Sequence, residues 1–299
     1  MRVDPFYIVN LSNSLDQTQV AQEQLSNELS SGLRISQIGQ DPVAAAQNVE
    51  LLNQINRDDS FTQTASLTKG ILQVTDSALG SVVTQLNQAI SLATEADNGT
   101  LNTSDLKSVS NQIAGIRDEV LSLANTNYQG VYLFGGSHTG ATPFTVDNAT
   151  MPPTVTYNGD QDVNTIVSPN GQSIQLNLPG DQIFTAPGMS VIDALNNLVV
   201  DFANGSSGSG IPDTSALNAA LTYVSQQRVK IDNSITRLTD ASSAITGESM
   251  QLTQAQTNLM QADIADVSTQ LSLTQSQQTA LMDVIAGLGQ GSLFDKLVP

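Results

Sequence analysis

Apolar residues follow a coiled-coil spacing at both ends of the chain. Seam positions separated alternately by three and four residues occur near the N-terminus: Ile8, Leu11, Leu15, Thr18, Gln22, Leu25 and Leu29. The same alternation recurs near the C-terminus: Ile264, Val267, Leu271, Thr274, Gln278, Leu281, Ile285 and Leu288. Such a narrow stripe is typical of helices that pack along a coiled-coil seam. We therefore expect both segments to be helices whose seams form an assembly interface.

The two seams carry the same side-chain chemistry in opposite order. An antiparallel pairing places Thr18 opposite Gln278 and Gln22 opposite Thr274, with aliphatic residues facing each other in the remaining layers. A shift by one layer would bury these polar groups against leucine, at about 1–3 kcal/mol for each group left unpaired. The polar layers are therefore predicted to set the register of a terminal coiled coil. An alternative stays open, in which each seam faces another subunit.

Two further helices are predicted in the first half of the chain. Asp41-Pro42 combines an N-cap residue with proline at the first helical position, and the pattern continues to about Ala96. The polar stretch Asn53–Gln63 leaves the continuity of this helix open. After a turn, Ser104 is the predicted N-cap of a helix that ends near Asn127, antiparallel to the preceding one.

A β-rich insert and another long helical pattern complete the chain. Short β-like runs are closed by glycine, proline and asparagine, and the hairpin signal is clearest around Asn170-Gly171. Ser190 is the predicted cap of a short amphipathic helix. The last helical pattern begins at Asp213 or Thr214, with interruptions predicted at Gly247 and near Leu259.

These patterns predict a mainly α fold, an elongated helical bundle or coiled-coil rod with a small β-rich inserted outer domain. The predicted division is residues 1–40 plus 260–299 as terminal coiled-coil segments that are disordered in the monomer, 41–129 plus 213–259 as a helical rod bundle, 130–205 as the β-rich outer domain with a short helix, and 205–212 as a Gly/Ser linker. Within one chain, the packed helices cover only part of such a seam. We therefore expect neighbouring subunits to pack against it from the side.

Composition narrows the classes of partner. The chain of 299 residues has 10 basic and 28 acidic side chains and a formal net charge of −18, which argues against nucleic acid and anionic membrane as partners. It has no cysteine and one histidine, which excludes disulfides, thiolate chemistry and multi-histidine metal sites. We find no apolar run of the roughly 20 residues that would cross a bilayer, and Asp4-Pro5 interrupts any secretory signal pattern.

Candidate chemistry is sparse. Neither a nucleophile elbow nor a phosphate-binding loop occurs, and the glycines at 287, 289 and 291 end a helix instead of following a strand. His138 is interpreted as a loop histidine, because the sequence nominates no partner for it. Asp160 and Asp162 lack the remaining ligands of a calcium loop and are interpreted as turn residues. We expect no catalytic, cofactor-binding or metal site, and therefore no enzyme.

Four sets of short motifs occur in order along the chain. They are LSSGLRI at 29–35 with DPVAA at 41–45, YLFGG at 132–136, Pro143-Phe144 with YNGD at 157–160, and SLFD at 292–295. Together they resemble the bacterial flagellin family, in the version found in the hook-associated protein 3 branch that joins hook to filament. Gly39-Gln40 and Leu33 depart from the Ser-Asp and Lys that are frequent in this family.

The resemblance implies a structural subunit of the flagellum, at the junction between hook and filament. It implies export without a cleaved signal peptide, an extracellular location, and assembly through the terminal seams together with Arg34 of the LSSGLRI loop. The implied partners are hook-associated protein 1, flagellin, further copies of the chain, and the flagellar export chaperone and export apparatus. Two alternatives stay open: a minor filament flagellin, and a secreted binding module with a helical stalk.

Overall fold

The computed structural model describes residues 5–147, 149–150, 153–206 and 212–290. About 70% of the described residues are helical, which confirms the predicted mainly α fold with small antiparallel sheets. The helices are α1 (Pro5–Ser31), α2 (Pro42–Asp97), α3 (Thr103–Ala124), α4 (Asp181–Phe184), α5 (Val191–Ala203), α6 (Pro212–Met260) and α7 (Ile264–Gln290). The strands are β1 (Asn127–Tyr128), β2 (Val131–Tyr132), β3 (Phe144–Asp147), β4 (Thr154–Tyr157), β5 (Thr165–Val167) and β6 (Ser173–Gln175).

The chain divides into two compact units, each assembled from separate stretches of sequence. The terminal unit comprises Met1–Arg57 and Glu248–Pro299, and the central unit comprises Asp58–Gly247. Helices α2 and α6 contribute residues to both units. The predicted four-part division of the chain stays a prediction.

The core of the central unit lies between helices whose apolar residues recur at helical spacing. Leu72, Leu79 and Leu86 of α2 are fully buried together with Ile113 of α3 and Leu217 of α6. Because each helix presents one apolar face, packing these faces together removes them from water, at about 25 cal/mol per Å² of apolar surface. The apolar positions predicted from the helical spacing are therefore positions that the helices bury in this core.

Helix α5 packs on α3 and is held there by polar contacts as well. The Ser190 side chain caps α5 by accepting a hydrogen bond from the Asp193 backbone N–H, as predicted. The Ser110 hydroxyl donates to the Val199 carbonyl at 2.7 Å, and Arg117 donates to Asn196 Oδ1 at 3.2 Å. These bonds satisfy buried polar groups that would otherwise destabilise the contact.

Two details of the helices differ from the sequence prediction, and one point that the sequence left open is resolved. Helix α3 is capped by Asn102 in a capping box with Asp105, and not by Ser104, because the Asn102 side chain accepts from the backbone N–H groups of Ser104 and Asp105. Helix α2 continues through the polar stretch at 53–63. Helix α6 continues through Gly247, so the one interruption of the long C-terminal pattern lies at residues 261–263, close to the predicted slip.

The β insert consists of three separate two-stranded antiparallel ladders: β1–β2, β3–β4 and β5–β6. The β5–β6 hairpin turns at 168–172, as the Asn170-Gly171 signal predicts. Four aromatic side chains form a cluster here, with ring centroids 5.0–5.4 Å apart: Phe134, Phe144 of β3, Tyr157 of β4 and Phe184. Two of the three ring pairs pack edge to face, and the three phenylalanines belong to the same buried core as the helices of the central unit.

Candidate assembly interface

The terminal unit is built around the pairing of α1 with α7. The end of α1 and the start of α7 are joined by an antiparallel bridge between Leu33 and Gln261. Because α1 approaches this bridge and α7 leaves it, two helices in contact along their lengths run antiparallel. The structure thus brings the two predicted terminal seams together within one subunit.

Most of the predicted seam residues face the contact, but they are only partly buried. Val267 and Thr274 are buried, with 6% and 9% exposure. The half-buried seam residues are Leu11, Leu15, Thr18, Gln22, Leu25, Leu271, Gln278, Leu281 and Ile285. Leu29 and Ile264 are exposed at 36% and 45%. The side chains of Ile8 and Leu288, and the SLFD motif at 292–295, lie outside the described residues.

Glu28 is a seam residue that the sequence pattern missed. Its exposure is 8%, and it occupies the place that the seam spacing assigns to Leu29. Gln24 Nε2 donates to Glu28 Oε1 at 3.0 Å, which supplies the buried carboxylate with a partner. A hydrophobicity pattern gives no signal for this position, since glutamate normally lies on a solvated helix face.

The two threonines of the polar layers form hydrogen bonds within their own helices. Thr18 Oγ1 donates to the Leu15 carbonyl, and Thr274 Oγ1 donates to the Gln270 carbonyl, both at 2.8 Å. Their hydroxyls therefore need no partner across the seam and impose no penalty on a shifted register. Gln22 and Gln278 line one polar cleft of about 550 Å³ on this pair of helices, and a role of these two amides in setting the register stays a prediction.

Arg34 connects the loop after α1 to two helix ends. Its backbone N–H donates to the Met260 carbonyl at 2.7 Å, and its guanidinium donates to the Leu259 carbonyl at 3.1 Å. The guanidinium also lies 3.5 Å from a carboxylate oxygen of Asp41. Arg34 thus holds the loop after α1 against the end of α6 and the start of α2. Its side chain remains 47% exposed.

Asp41 caps α2 as the sequence predicts. Its Oδ1 accepts a hydrogen bond from the Ala44 backbone N–H at 3.0 Å. This bond, aided by the positive charge of Arg34, lowers the pKa of the Asp41 carboxyl below its ordinary value. The DPVAA motif therefore places a carboxylate where it stabilises the helix start and also binds Arg34.

The YLFGG and YNGD motifs meet in the central unit around Asp160. Its carboxylate accepts hydrogen bonds from the Ser137 backbone N–H at 2.7 Å, from the Ser137 hydroxyl, and from the Asp162 N–H at 3.1 Å. His138 Nδ1 lies 2.8 Å from the same carboxylate. The Ser137 bonds, foremost, lower the pKa of Asp160.

Tyr157 and Gly136 complete the same cluster. The Tyr157 hydroxyl donates to the carbonyls of Phe134 and Asp160, at 3.0 and 2.8 Å, and burial raises its pKa to about 12. Gly136 adopts a φ of +72°, and a Cβ at this residue would collide with Asp160. The glycine is therefore required both for its backbone conformation and for the close approach.

This cluster ties two loops together and does not form a hydrolytic triad. In a triad the imidazole lies between the hydroxyl and the carboxylate, whereas here the Ser137 hydroxyl donates directly to Asp160. Among the residues that the structure describes, no group of three or more histidine and acidic side chains could hold a metal ion. No helix in the described ranges is long and apolar enough to cross a membrane.

The known proteins that resemble this chain are bacterial flagellins and flagellar hook-associated proteins. Residues 7–139 match the bacterial flagellin N-terminal helical region. The flagellar hook-associated protein 3 of Salmonella typhimurium is 29% identical over 181 residues, which is 60% of this chain and 55% of that relative. The Escherichia coli protein of the same name is 33% identical over 118 residues, which is 39% of this chain and 37% of that relative.

The chain thus matches about half or less of the length of these two relatives. A Bacillus subtilis flagellin is 23% identical over 256 residues, which is 83% of both chains. A solved structure of a putative flagellar hook-associated protein from Vibrio parahaemolyticus has a TM-score of 0.64 at 17% identity, covering 74% of this chain and all of that one. The flagellar junction protein FlgL of Legionella pneumophila has a TM-score of 0.56 at 14% identity, covering 72% and 100%. The fold and the resemblance inferred from the motifs are confirmed.

Proposed function

We propose that this chain is a structural subunit of the bacterial flagellum at the junction between hook and filament. Hook-associated protein 1, flagellin and further copies of the chain are its partners there. The relatives named hook-associated protein 3 support this role, as does the order of the DPVAA and YLFGG motifs. A flagellar export chaperone and the export apparatus would deliver the chain, without a cleaved signal peptide, to an extracellular position.

The observation that carries the proposal is the exposed apolar surface of the paired terminal helices. Large apolar side chains are exposed on the outer faces of α1 and α7: Phe6, Val9, Val20, Leu273, Met282 and Val284. The seam beneath them is only half-buried, because two helices cover it on part of its circumference. A surface of this kind marks a site of protein association. Lateral packing against neighbouring subunits would bury it.

A deletion strain tests the role directly. Cells without this chain should assemble hooks but release flagellin monomers into the medium, and complementation with the native sequence should restore filaments. Full filaments on cells that lack the chain would contradict the proposal. N-terminal sequencing of the protein recovered from the medium should find the N-terminal segment of the native sequence intact. Loss of that segment would contradict export without cleavage.

A matched pair of variants tests the interface. Val20 on α1 and Val167 on β5 are both highly exposed, at 65% and 62%. Val20→Asp should leave the monomer folded but block filament growth in the complementation assay, because it places a charge on the proposed contact surface. Val167→Asp adds the same charge to the central unit and should complement normally. Equal complementation by both variants would overturn the assignment of this surface.

A minor filament flagellin is the second candidate, because the Bacillus subtilis flagellin matches 83% of the chain. The same deletion strain separates the two roles. Loss of a minor flagellin leaves filaments attached to the hook, whereas loss of a junction subunit leaves hooks bare.

A further inference from the structure

The break between α6 and α7 lies in a sequence that does not demand one. The three linking residues are Gln261, Ala262 and Asp263, and neither glycine nor proline is among them. Alanine and glutamine are good helix formers. Helix α6 nevertheless ends at Met260, and α7 begins at Ile264. Asp263 caps the start of α7, but the end of α6 at Met260 has no such signal, so a contact from elsewhere in the terminal unit contributes to the break.

That contact is the short segment Gly32–Arg34, which we call the clasp. The Gly32 carbonyl accepts a hydrogen bond from the Ala262 N–H at 2.9 Å. The Arg34 N–H donates to the Met260 carbonyl at 2.7 Å, and the Arg34 guanidinium donates to the Leu259 carbonyl at 3.1 Å. The clasp thus binds one N–H group and two carbonyl groups at the break.

These three groups are the ones that an uninterrupted helix would use for itself. With regular i to i−4 hydrogen bonds, the Ala262 N–H would donate to Asn258, while the Leu259 and Met260 carbonyls would accept from residues 263 and 264. The Ala262 N–H is a single donor, so its bond to the Gly32 carbonyl excludes its helical bond to Asn258. The Leu259 and Met260 carbonyls each have two lone pairs, so the Ala262 bond is the one that separates the broken from the continuous helix, which is the physical requirement for a two-state element.

The clasped form has stabilising features of its own. Asp263 Oδ1 accepts hydrogen bonds from the Ala265 and Asp266 N–H groups and caps α7. Ala262 at the break is only 4% exposed, whereas the clasp residue Leu33 is 41% exposed and the Arg34 side chain is 47% exposed. The hydrogen bonds of the clasp are therefore more accessible to change than the apolar contact of Ala262.

We propose that residues 261–263 are a conformational switch governed by the clasp. With the clasp docked, the segment is broken and α7 lies along α1. With the clasp released, α6 and α7 form one continuous helix. The apolar stripe slips by one residue between Leu259 and Ile264, so straightening turns the α7 seam by about 100° relative to the α6 stripe. The state of residues 261–263 therefore sets the direction in which the α7 seam faces. This inference does not depend on which partner the chain assembles with.

The test measures the helical state of Ala262 by carbon-13 chemical shift in the selectively labelled full-length protein. Arg34→Ala removes one clasp bond and should raise the ratio of continuous to broken helix about fivefold, the worth of one net hydrogen bond. Gln261→Gly weakens the continuous helix at an exposed residue and should lower the same ratio about threefold. Arg57→Ala, which removes an exposed arginine of the same unit paired with Glu50 at 3.9 Å, should leave the ratio unchanged.

An engineered disulfide supplies the reference for the broken state. Leu33 and Gln261 form a non-hydrogen-bonded antiparallel pair, whose Cα separation of about 4.5 Å suits a disulfide, and the chain has no other cysteine. The oxidised Leu33→Cys/Gln261→Cys protein should show the non-helical shift at Ala262, and reduction should move the shift toward the helical value.

The direction of the change separates a switch from a mere structural contact. If the clasp only stabilised the fold, Arg34→Ala would move Ala262 toward the random-coil shift. That result, or equal shifts in the oxidised and reduced double-cysteine protein, would overturn the proposal. Opposite changes in the Arg34 and Gln261 variants would support it.

Discussion

Asp160 is the residue on which the geometry of the β insert depends most clearly. Its carboxylate is bonded to Ser137 and Asp162, and His138 lies beside it, so one side chain holds the YLFGG loop against the YNGD turn. These bonds favour the ionised form and lower its folded-state pKa below the ordinary value of 3.8. The stability that Asp160 contributes is therefore present above that value and is lost as the pH falls through the lowered folded pKa.

Asp160→Asn should lower the melting temperature at neutral pH, because an amide nitrogen cannot accept the bonds that a carboxylate oxygen accepts. Below pH 3.8 the native protein should lose this advantage, and the melting temperatures of native and variant proteins should converge. Thermal unfolding between pH 7 and pH 2 measures this. Asp162→Asn is the matched control at an exposed neighbouring aspartate. A constant gap between the native and Asp160→Asn proteins at all pH values would contradict the assignment.

Local chemistry at single residues was only partly predictable from sequence. Ser190 and Asp41 cap their helices as predicted, because each directly precedes a clear apolar periodicity. The prediction that Ser104 caps α3 was wrong, because Asn102 and Asp105 form a reciprocal capping box one turn of sequence around it. The burial of Glu28 could not be predicted, because a glutamate gives no hydrophobic signal in its own segment.

At the level of elements, periodicity predicted which segments are helices and which residues they bury. The interruption predicted at Gly247 was wrong. One glycine costs a helix only about 1 kcal/mol, and α6 continues on either side of it. Periodicity located the slip near Leu259 but not its cause, because the clasp bonds come from residues more than 200 positions away. The aromatic cluster was unpredictable for the same reason: Phe134 and Phe184 meet only after the insert folds.

The α1–α7 pair should tolerate loss of its threonine hydroxyl better than loss of an aliphatic side chain. Because the Thr274 hydroxyl is bonded to its own helix, Thr274→Val should change the free energy of unfolding by less than about 1 kcal/mol. Leu271→Ala, one turn earlier on the same seam, should destabilise by about 1–2 kcal/mol, less than the 2–5 kcal/mol of a fully buried site. Denaturant unfolding of the full chain measures both. A larger cost for Thr274→Val than for Leu271→Ala would show that the hydroxyl has a partner across the seam.

At the level of the whole molecule, charge opposes the association that the exposed apolar surfaces favour. The chain carries a net charge of −18, and no lysine or arginine occurs between Arg117 and Arg228. Two copies that approach each other at low salt repel over a distance comparable with the Debye length, about 30 Å at 0.01 M and about 3 Å at 1 M salt. Self-repulsion of this kind keeps proteins monomeric until a stronger contact forms.

Self-association of the purified chain should therefore increase as sodium chloride is raised from about 0.01 M to about 0.5 M, because screening removes the repulsion and leaves apolar burial unopposed. Sedimentation velocity at fixed protein concentration measures the change. Sodium sulfate at equal ionic strength is the control, since screening alone predicts the same increase, whereas exclusion of sulfate from the protein surface predicts a larger one. If the monomer fraction stays constant or rises with sodium chloride, charge does not restrain assembly, and the exposed apolar faces of α1 and α7 do not associate with further copies of this chain.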